Sequence, residues 1–334
     1  MTGSLVVLAA CGEAAPSGPG SADFSTERTT TAVASAAPSP AASPPASEPA
    51  AATGTAAVSG LRGATLYGVT GRDAGVVAVG SADEFAAGWT SADGQVWQPA
   101  WVASDGGPAR FRAVAAGDDG LVAFAGADDS ASTVWTSDDG GAWAPVEASG
   151  IEGRINAVAF HDGQWFAVGD LIDTEGGEAV GGAVYVSDDG SSWSVLTDEL
   201  LVGEATVSDV VGGDGGLVIV GFDVDGGTVW LDTEPRREPI TDGFEGSTIQ
   251  GVAVTDDGFV ALGRGVADLR PVAWTSPDGR SWERTDLDAD VFGPSEQIHD
   301  LTTTADGRLL AVGATDDGGM VWTSADGVTW ARGG

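Results

Sequence analysis

The sequence predicts an all-β fold, a six-bladed β-propeller of four-stranded antiparallel blades preceded by a disordered tether. Three observations lead there. A strand-and-turn motif opens on an aromatic residue at positions 89, 135, 185, 230, 274 and 322, so successive copies stand 46, 50, 45, 44 and 48 residues apart. An apolar run ending in small residues precedes every copy, as in Val76-Val77-Ala78-Val79-Gly80 and Leu309-Leu310-Ala311-Val312-Gly313. No segment carries a helical period, and short strands at even spacing within a repeat of this length read as one sheet per repeat.

The chain divides at residues 1–10, 11–57 and 58–334. The first segment runs Leu5-Val6-Val7-Leu8-Ala9-Ala10 into Cys11, the sole cysteine. Leu8-Ala9-Ala10-Cys11 resembles the lipobox of a bacterial lipoprotein signal. That resemblance implies cleavage before Cys11 and acylation of its sulfur and new amino group, where several acyl chains together hold a membrane stably. No Arg or Lys precedes the apolar run, so the true start is expected upstream of Met1. Residues 11–57 are dominated by Ala, Pro, Ser, Thr and Gly, as in Pro44-Pro45-Ala46-Ser47. Such a stretch cannot repay the entropy of ordering and reads as a spacer.

From residue 58 each unit reads as strands A, B, C and D. Short A strands such as Ala113-Val114-Ala115 and Val252-Ala253-Val254 lead through Asp118-Asp119-Gly120 and Asp256-Asp257-Gly258 into the apolar B strands. Asp and Gly tolerate the positive φ of tight hairpins. Strand C ends in the motif and strand D begins at its closing Trp. Five copies are complete: Ser91, Asp93, Gly94 and Trp97; Ser137, Asp139, Gly140 and Trp143; Ser187, Asp189, Gly190 and Trp193; Ser276, Asp278, Gly279 and Trp282; Ser324, Asp326, Gly327 and Trp330. A sixth, Trp230-Leu231-Asp232-Thr233, keeps only the leading Trp. Ser and Asp side chains bond local amides, Gly reverses the chain, and the Trp packs into the seam between blades. Ten of the 12 Trp occupy these positions; Trp101 and Trp165 stand in apolar strand context and are expected in the core.

The order Ser, Asp, Gly, Trp resembles the Asp-box (BNR-like) repeat of sialidase-like propellers. The spacing Ser-x-Asp-Gly-x-x-Trp is one residue tighter than the usual form, so the likeness is to the repeat class and not to an enzyme. It implies that the boxes lie on the C–D turns, away from the ligand face, and are structural. Sialidase chemistry would require an arginine triad, a Tyr nucleophile paired with a Glu, and an acidic proton donor. Phe111-Arg112-Ala113-Val114 departs from the family's Phe-Arg-Ile-Pro element by lacking the Pro. The two tyrosines, Tyr67 and Tyr185, supply no nucleophile in a suitable place.

Composition narrows the rest. Fifty Asp and Glu stand against 14 basic residues, all Arg, for a formal net charge of -36. Nucleic acid and anionic membrane surfaces are thereby excluded, which leaves cations, basic partners or glycans. One Cys makes no internal disulfide. His161 and His299 fall in different repeats without Cys or His partners, which argues against a transition-metal site. No Gly-x-Ser-x-Gly elbow or phosphate loop stands in a strand-to-helix context. Asp286, Asp288 and Asp290 alternate as calcium ligands do, and Asp223-Val224-Asp225-Gly226 is a second acidic turn. The first lacks the Gly and Glu of an EF-hand loop, so no cofactor is expected and Ca²⁺ is the one candidate. Ligands are expected on the face made by the B–C loops and D–A connections, with Arg110, Arg154, Arg264 and Arg270 as candidates for an anionic group. The resulting expectation is a non-catalytic glycan- or protein-binding propeller, monomeric, tethered by lipid to the outer face of a bacterial membrane. Its rival is a glycan-active hydrolase using paired loop-face carboxylates.

Overall fold

A computed structural model of the chain describes residues 59–83, 85–103, 110–127, 130–172, 179–196, 205–232, 239–293 and 295–333. The lipobox, Cys11 and the spacer therefore lie outside the described residues.

The described chain forms six sheets in sequence order, antiparallel apart from one short added strand. Blade 1 holds β1 (Ala64–Arg72), β2 (Gly75–Ala82), β3 (Phe85–Ser91) and β4 (Gln98–Pro99). After β5 (Trp101–Val102), blade 2 holds β6 (Phe111–Gly117), β7 (Gly120–Ala125), β8 (Thr133–Ser137) and β9 (Ala142–Val146). Blade 3 holds β10 (Gly153–His161), β11 (Gln164–Ile172), β12 (Ala179–Ser187) and β13 (Ser194–Leu196). Blade 4 has β14 (Thr206–Gly213), β15 (Gly216–Phe222) and β16 (Gly227–Leu231). Blade 5 is β17 (Ser247–Thr255), β18 (Gly258–Gly265), β19 (Pro271–Ser276) and β20 (Glu283–Asp286). Blade 6 is β21 (Gln297–Thr303), β22 (Leu309–Thr315), β23 (Gly318–Ser324) and β24 (Trp330–Arg332).

Apolar residues fill both faces of each second strand, because every blade is packed by a neighbour on either side. Six separate cores result, one at each seam. Phe124, Ile155, Trp165 and Trp193 fill the seam between blades 2 and 3. Leu66, Trp97, Leu310 and Val312 fill the one between blades 6 and 1. Burying an aromatic of this size stabilises by about 2–3 kcal/mol. The named strands of each blade come from its own repeat, while β5, which follows the blade 1 box, joins the blade 2 sheet. Closure rests on that last core and on hydrogen bonds, Val69 N to Asp300 Oδ2 at 2.8 Å, Gly71 N to Thr302 Oγ1 at 3.1 Å and Gly319 N to the Leu61 carbonyl at 3.0 Å.

Each complete box lies on a C–D turn, and in four of the five the closing Trp Nε1 donates to the box Gly carbonyl, the exception being Trp143. In blade 3, Ser187 Oγ accepts from Gly190 N at 2.9 Å. Asp189 Oδ1 accepts from Ser191 N and Ser192 N at 2.8 and 2.7 Å, and Trp193 Nε1 donates to the Gly190 carbonyl at 3.1 Å. Gly190 sits at φ +71°, the left-handed region.

Two features differ from expectation. Trp165 is buried, but Trp101 is 64% exposed. It lies on β5, which pairs parallel with the outer strand β9 and so faces outward at the blade rim. Blade 4, whose box keeps only its leading Trp, shows no regular fourth strand among the described residues. Among the described residues Ile240 takes that place, exchanging two hydrogen bonds with Val229, and Phe244 packs fully buried beside it.

Candidate functional site at the channel mouth

The innermost strands β1, β6, β10, β14, β17 and β21 surround a central channel with a cavity of about 230 Å³. Each of the six carries a β-bulge at the same place, near its N-terminal end. A bulge adds a residue that the partner strand does not match and re-aims its side chain. Here the added residues are Tyr67, Arg112, Asn156, Ser208, Gln250 and His299, a polar ring at one end of the channel. Two residues before each stand Thr65, Arg110, Arg154, Thr206, Thr248 and Gln297, a second polar tier. Strand direction places both tiers on the face of the B–C turns, opposite the boxes.

The ring is knitted across blades. The Arg110 guanidinium carbon lies 5.2 Å from the Tyr67 ring centre, and its Nη1 is 3.4 Å from the Tyr67 hydroxyl. Tyr67 stacks on His299 with centroids 4.8 Å apart and planes 19° from parallel. His299 Nδ1 is 2.6 Å from the Leu66 carbonyl, which fixes that nitrogen as the N–H donor. Nε2, 3.1 Å from the Gln297 side-chain amide, is then an acceptor, and the matching amide orientation turns the Gln297 NH₂ toward it. Burial pushes the His299 pKa down; the bond to Leu66 opposes this, and the charges of Arg264 and Arg110 add to the lowering. The imidazole is neutral at neutral pH. Arg264 is itself held below the usual guanidinium value by burial, with Glu296 acting against that.

Across the mouth, Arg154 Nη2 meets the buried Asp170 at 2.5 Å, and Asn156 Nδ2 donates to the same carboxylate at 3.1 Å and to the Val207 carbonyl at 2.8 Å. Glu296, also buried, pairs with Arg332 and accepts from Gly293 N at 3.0 Å. Two further carboxylates sit deeper, in the channel wall. Asp209 bonds Val252 N and Val210 N, both at 2.7 Å, and Asp300 bonds Val69 N and Leu301 N at 2.8 and 2.7 Å. Burial raises the pKa of both, and the charge of Asp300 adds to the rise at Asp209.

The structure thus brings Arg110, Arg154 and Arg264 to one mouth and adds Arg112, which the sequence analysis treated only as part of a sialidase-like element. Arg270 stays apart, 69% exposed in its turn and 3.6 Å from Asp268. Asp286, Asp288 and Asp290 do not gather: Asp286 meets Arg284 at 3.4 Å, and Asp288 caps the Asp290 amide at 2.9 Å. Among the described residues no three His, Cys, Asp or Glu side chains converge on a metal position. Tyr67 does reach the mouth, where its hydroxyl meets Arg110 Nη1.

No family model and no curated protein matches the chain. Its architecture is similar to that of a fungal lectin from Aleuria aurantia, described as a six-bladed β-propeller with a novel fucose recognition mode. That likeness has a TM-score of 0.57 at 13% identity over 81% of this chain and 95% of the lectin. A structural-genomics target described as a gluconolactonase is also similar, with a TM-score of 0.51 at 14% identity over 83% of this chain and 96% of that one. Likeness at these identities establishes the six-bladed fold, which binding proteins and enzymes share.

Proposed function

We propose that the chain is a non-catalytic binding propeller whose ligand, an acidic glycan, docks at the channel mouth. The observation that carries this reading is the concentration of Arg110, Arg112, Arg154 and Arg264 around one opening of a chain with net charge -36. Guanidinium forks match carboxylate and sulfate oxygens bidentately, and the surrounding Asn, Gln, Ser and Thr offer the directional bonds that sugar hydroxyls need. The described mouth carboxylates argue against hydrolysis. Asp170 and Glu296 are each held in an ion pair, whereas a glycosidase keeps one acid protonated and a second group available to the sugar. The box geometry supports kinship with Asp-box propellers, and the lipobox supports display from Cys11 on the outer face of a bacterial membrane.

A glycan array probed with the labelled full chain tests the reading. Saturable binding to uronate- or sulfate-bearing glycans, weakened about tenfold by Arg110→Ala, is expected. Equal binding to neutral glycans, or none at all, overturns it. Radiolabelled palmitate incorporation that disappears in Cys11→Ser checks the anchor, and label retained in that variant refutes it.

A further inference from the structure

Imidazole is the side chain whose charge changes in the mild pH range, and one of the chain's two histidines, His299, stands in the polar ring of the mouth. Its two nitrogens have unequal freedom. Nδ1 is 2.6 Å from the Leu66 carbonyl, which can only accept, so this nitrogen keeps its proton in both charge states. Nε2 is 3.1 Å from the Gln297 side-chain amide, whose two ends exchange by rotation. Beside the neutral ring, the Gln297 NH₂ donates to Nε2 and the amide oxygen is turned outward. Once Nε2 is protonated it donates to that oxygen, and the NH₂ is turned outward instead. Gln297 is exposed, so the exchange alters what a ligand meets: an acceptor beside a neutral ring becomes a donor beside a cation.

Among the described residues, the titratable and charged groups around the ring come from four elements. Tyr67 of β1 lies flat on it at 4.8 Å, and Arg110, just before β6, covers the Tyr67 ring at 5.2 Å. Arg264 comes from β18. On and beside its own strand stand Asp300, whose oxygens accept from Val69 N and Leu301 N, and Glu296, which pairs with Arg332. Burial disfavours the positive imidazole most, and the charges of Arg264 and Arg110 add to that. These two guanidiniums are also the ones that would hold a ligand's carboxylates or sulfates, and an anion seated on them cancels their opposition. We propose that His299 takes up a proton when the mouth captures an acidic glycan, so that the glycan is held more tightly in mild acid. The proposal rests on the mouth as the glycan site. Linkage fixes its sign. The ligand prefers the protonated form, so the gain is complete below the pKa of the free protein and is lost as pH rises through that of the complex.

The test is calorimetric titration of a chondroitin sulfate tetrasaccharide into the full chain at about pH 5 and about pH 8, a range over which the ligand stays ionised. Binding at least about threefold tighter at the lower pH is expected. Asp300→Asn keeps that ratio, which separates His299 from the carboxylate next to it, and His299→Gln abolishes it. NMR titration of the His299 Cε1 proton, assigned by its absence from His299→Gln, supplies a second readout. Its midpoint is expected to move to higher pH on adding the tetrasaccharide, and also without ligand in Arg110→Ala/Arg264→Ala. Equal affinity at the two pH values leaves the mouth assignment standing and overturns the proton coupling, as does a ratio that survives in His299→Gln. An unmoved midpoint in the ligand-free double variant overturns the coupling whatever the glycan does. Absence of binding at both pH values overturns the mouth assignment and the coupling together.

Discussion

At the scale of single residues, the acidic side chains of this protein divide into two kinds with opposite roles. Box carboxylates are exposed and cap turns. Asp93 is held below the usual carboxylate range by the amides of Val96 and Gln95, and Asp189 by those of Ser192 and Ser191. Asp189→Ala removes the acceptor for two amides and is expected to cost about 1 kcal/mol. Gly190→Ala forces a side chain into the left-handed region and brings its Cβ within 2.9 Å of a Val122 methyl, for a loss of about 1–3 kcal/mol. Urea midpoints measure both, and an unchanged midpoint in either variant contradicts the account of the box. These roles were legible because a capped turn is local chemistry, written in consecutive residues. At the mouth, Arg110→Ala and Arg264→Ala are each expected to weaken acidic glycans about tenfold, while Arg270→Ala leaves affinity unchanged. Arg270 stands in a B–C loop, exposed to solvent and 3.6 Å from Asp268.

At the scale of elements, the inner strands hold what the sequence analysis missed. Aligned, they read Leu66-Tyr67-Gly68-Val69, Phe111-Arg112-Ala113-Val114, Ile155-Asn156-Ala157-Val158, Val207-Ser208-Asp209-Val210, Ile249-Gln250-Gly251-Val252 and Ile298-His299-Asp300-Leu301. A polar residue between an apolar one and a small or acidic one is the bulge, and it was visible once these strands were superposed. Reading them as plain strands hid it, because a bulge shifts the register by one residue and so reverses which face a side chain takes. The acidic member of that pattern makes pH a probe of the seams. Burial raises the folded-state pKa of Asp300 to about 7, above its unfolded value near 4. Its contribution to stability is therefore fully present below about pH 4 and lost as pH rises through about 7. The lowered box carboxylates act in the other sense, present above about pH 4 and lost below it. Melting temperature is expected to be higher at about pH 5.5 than at about pH 8 and to fall again in stronger acid. Asp300→Asn is expected to shrink the loss on the alkaline side. An unchanged slope in that variant shows that the buried carboxylate is not its source.

At the scale of the whole molecule, the balance is between six seam cores that hold the ring shut and a charge that pushes it apart. Self-repulsion at -36 weakens the compact state, and screening relieves it. Raising NaCl from about 0.05 to about 1 M is expected to raise the melting temperature monotonically, and a fall would show that attractive ion pairs outweigh the repulsion. Blade number and strand order were legible because a repeat announces itself at constant spacing. Closure was not: packing of blade 1 on blade 6 joins residues such as Val69 and Asp300, 231 positions apart, with no local mark. The same holds for the mouth, where Arg110 of blade 2, Tyr67 of blade 1 and His299 of blade 6 meet only once the ring has formed. The most direct test of that assembled site is calorimetric titration of an acidic oligosaccharide into the wild-type chain and the Arg110→Ala/Arg264→Ala double variant. A saturable heat in the wild type, weakened at least tenfold in a double variant that melts normally, is the predicted result. Undiminished binding in the double variant would contradict the assignment of the mouth as the binding site.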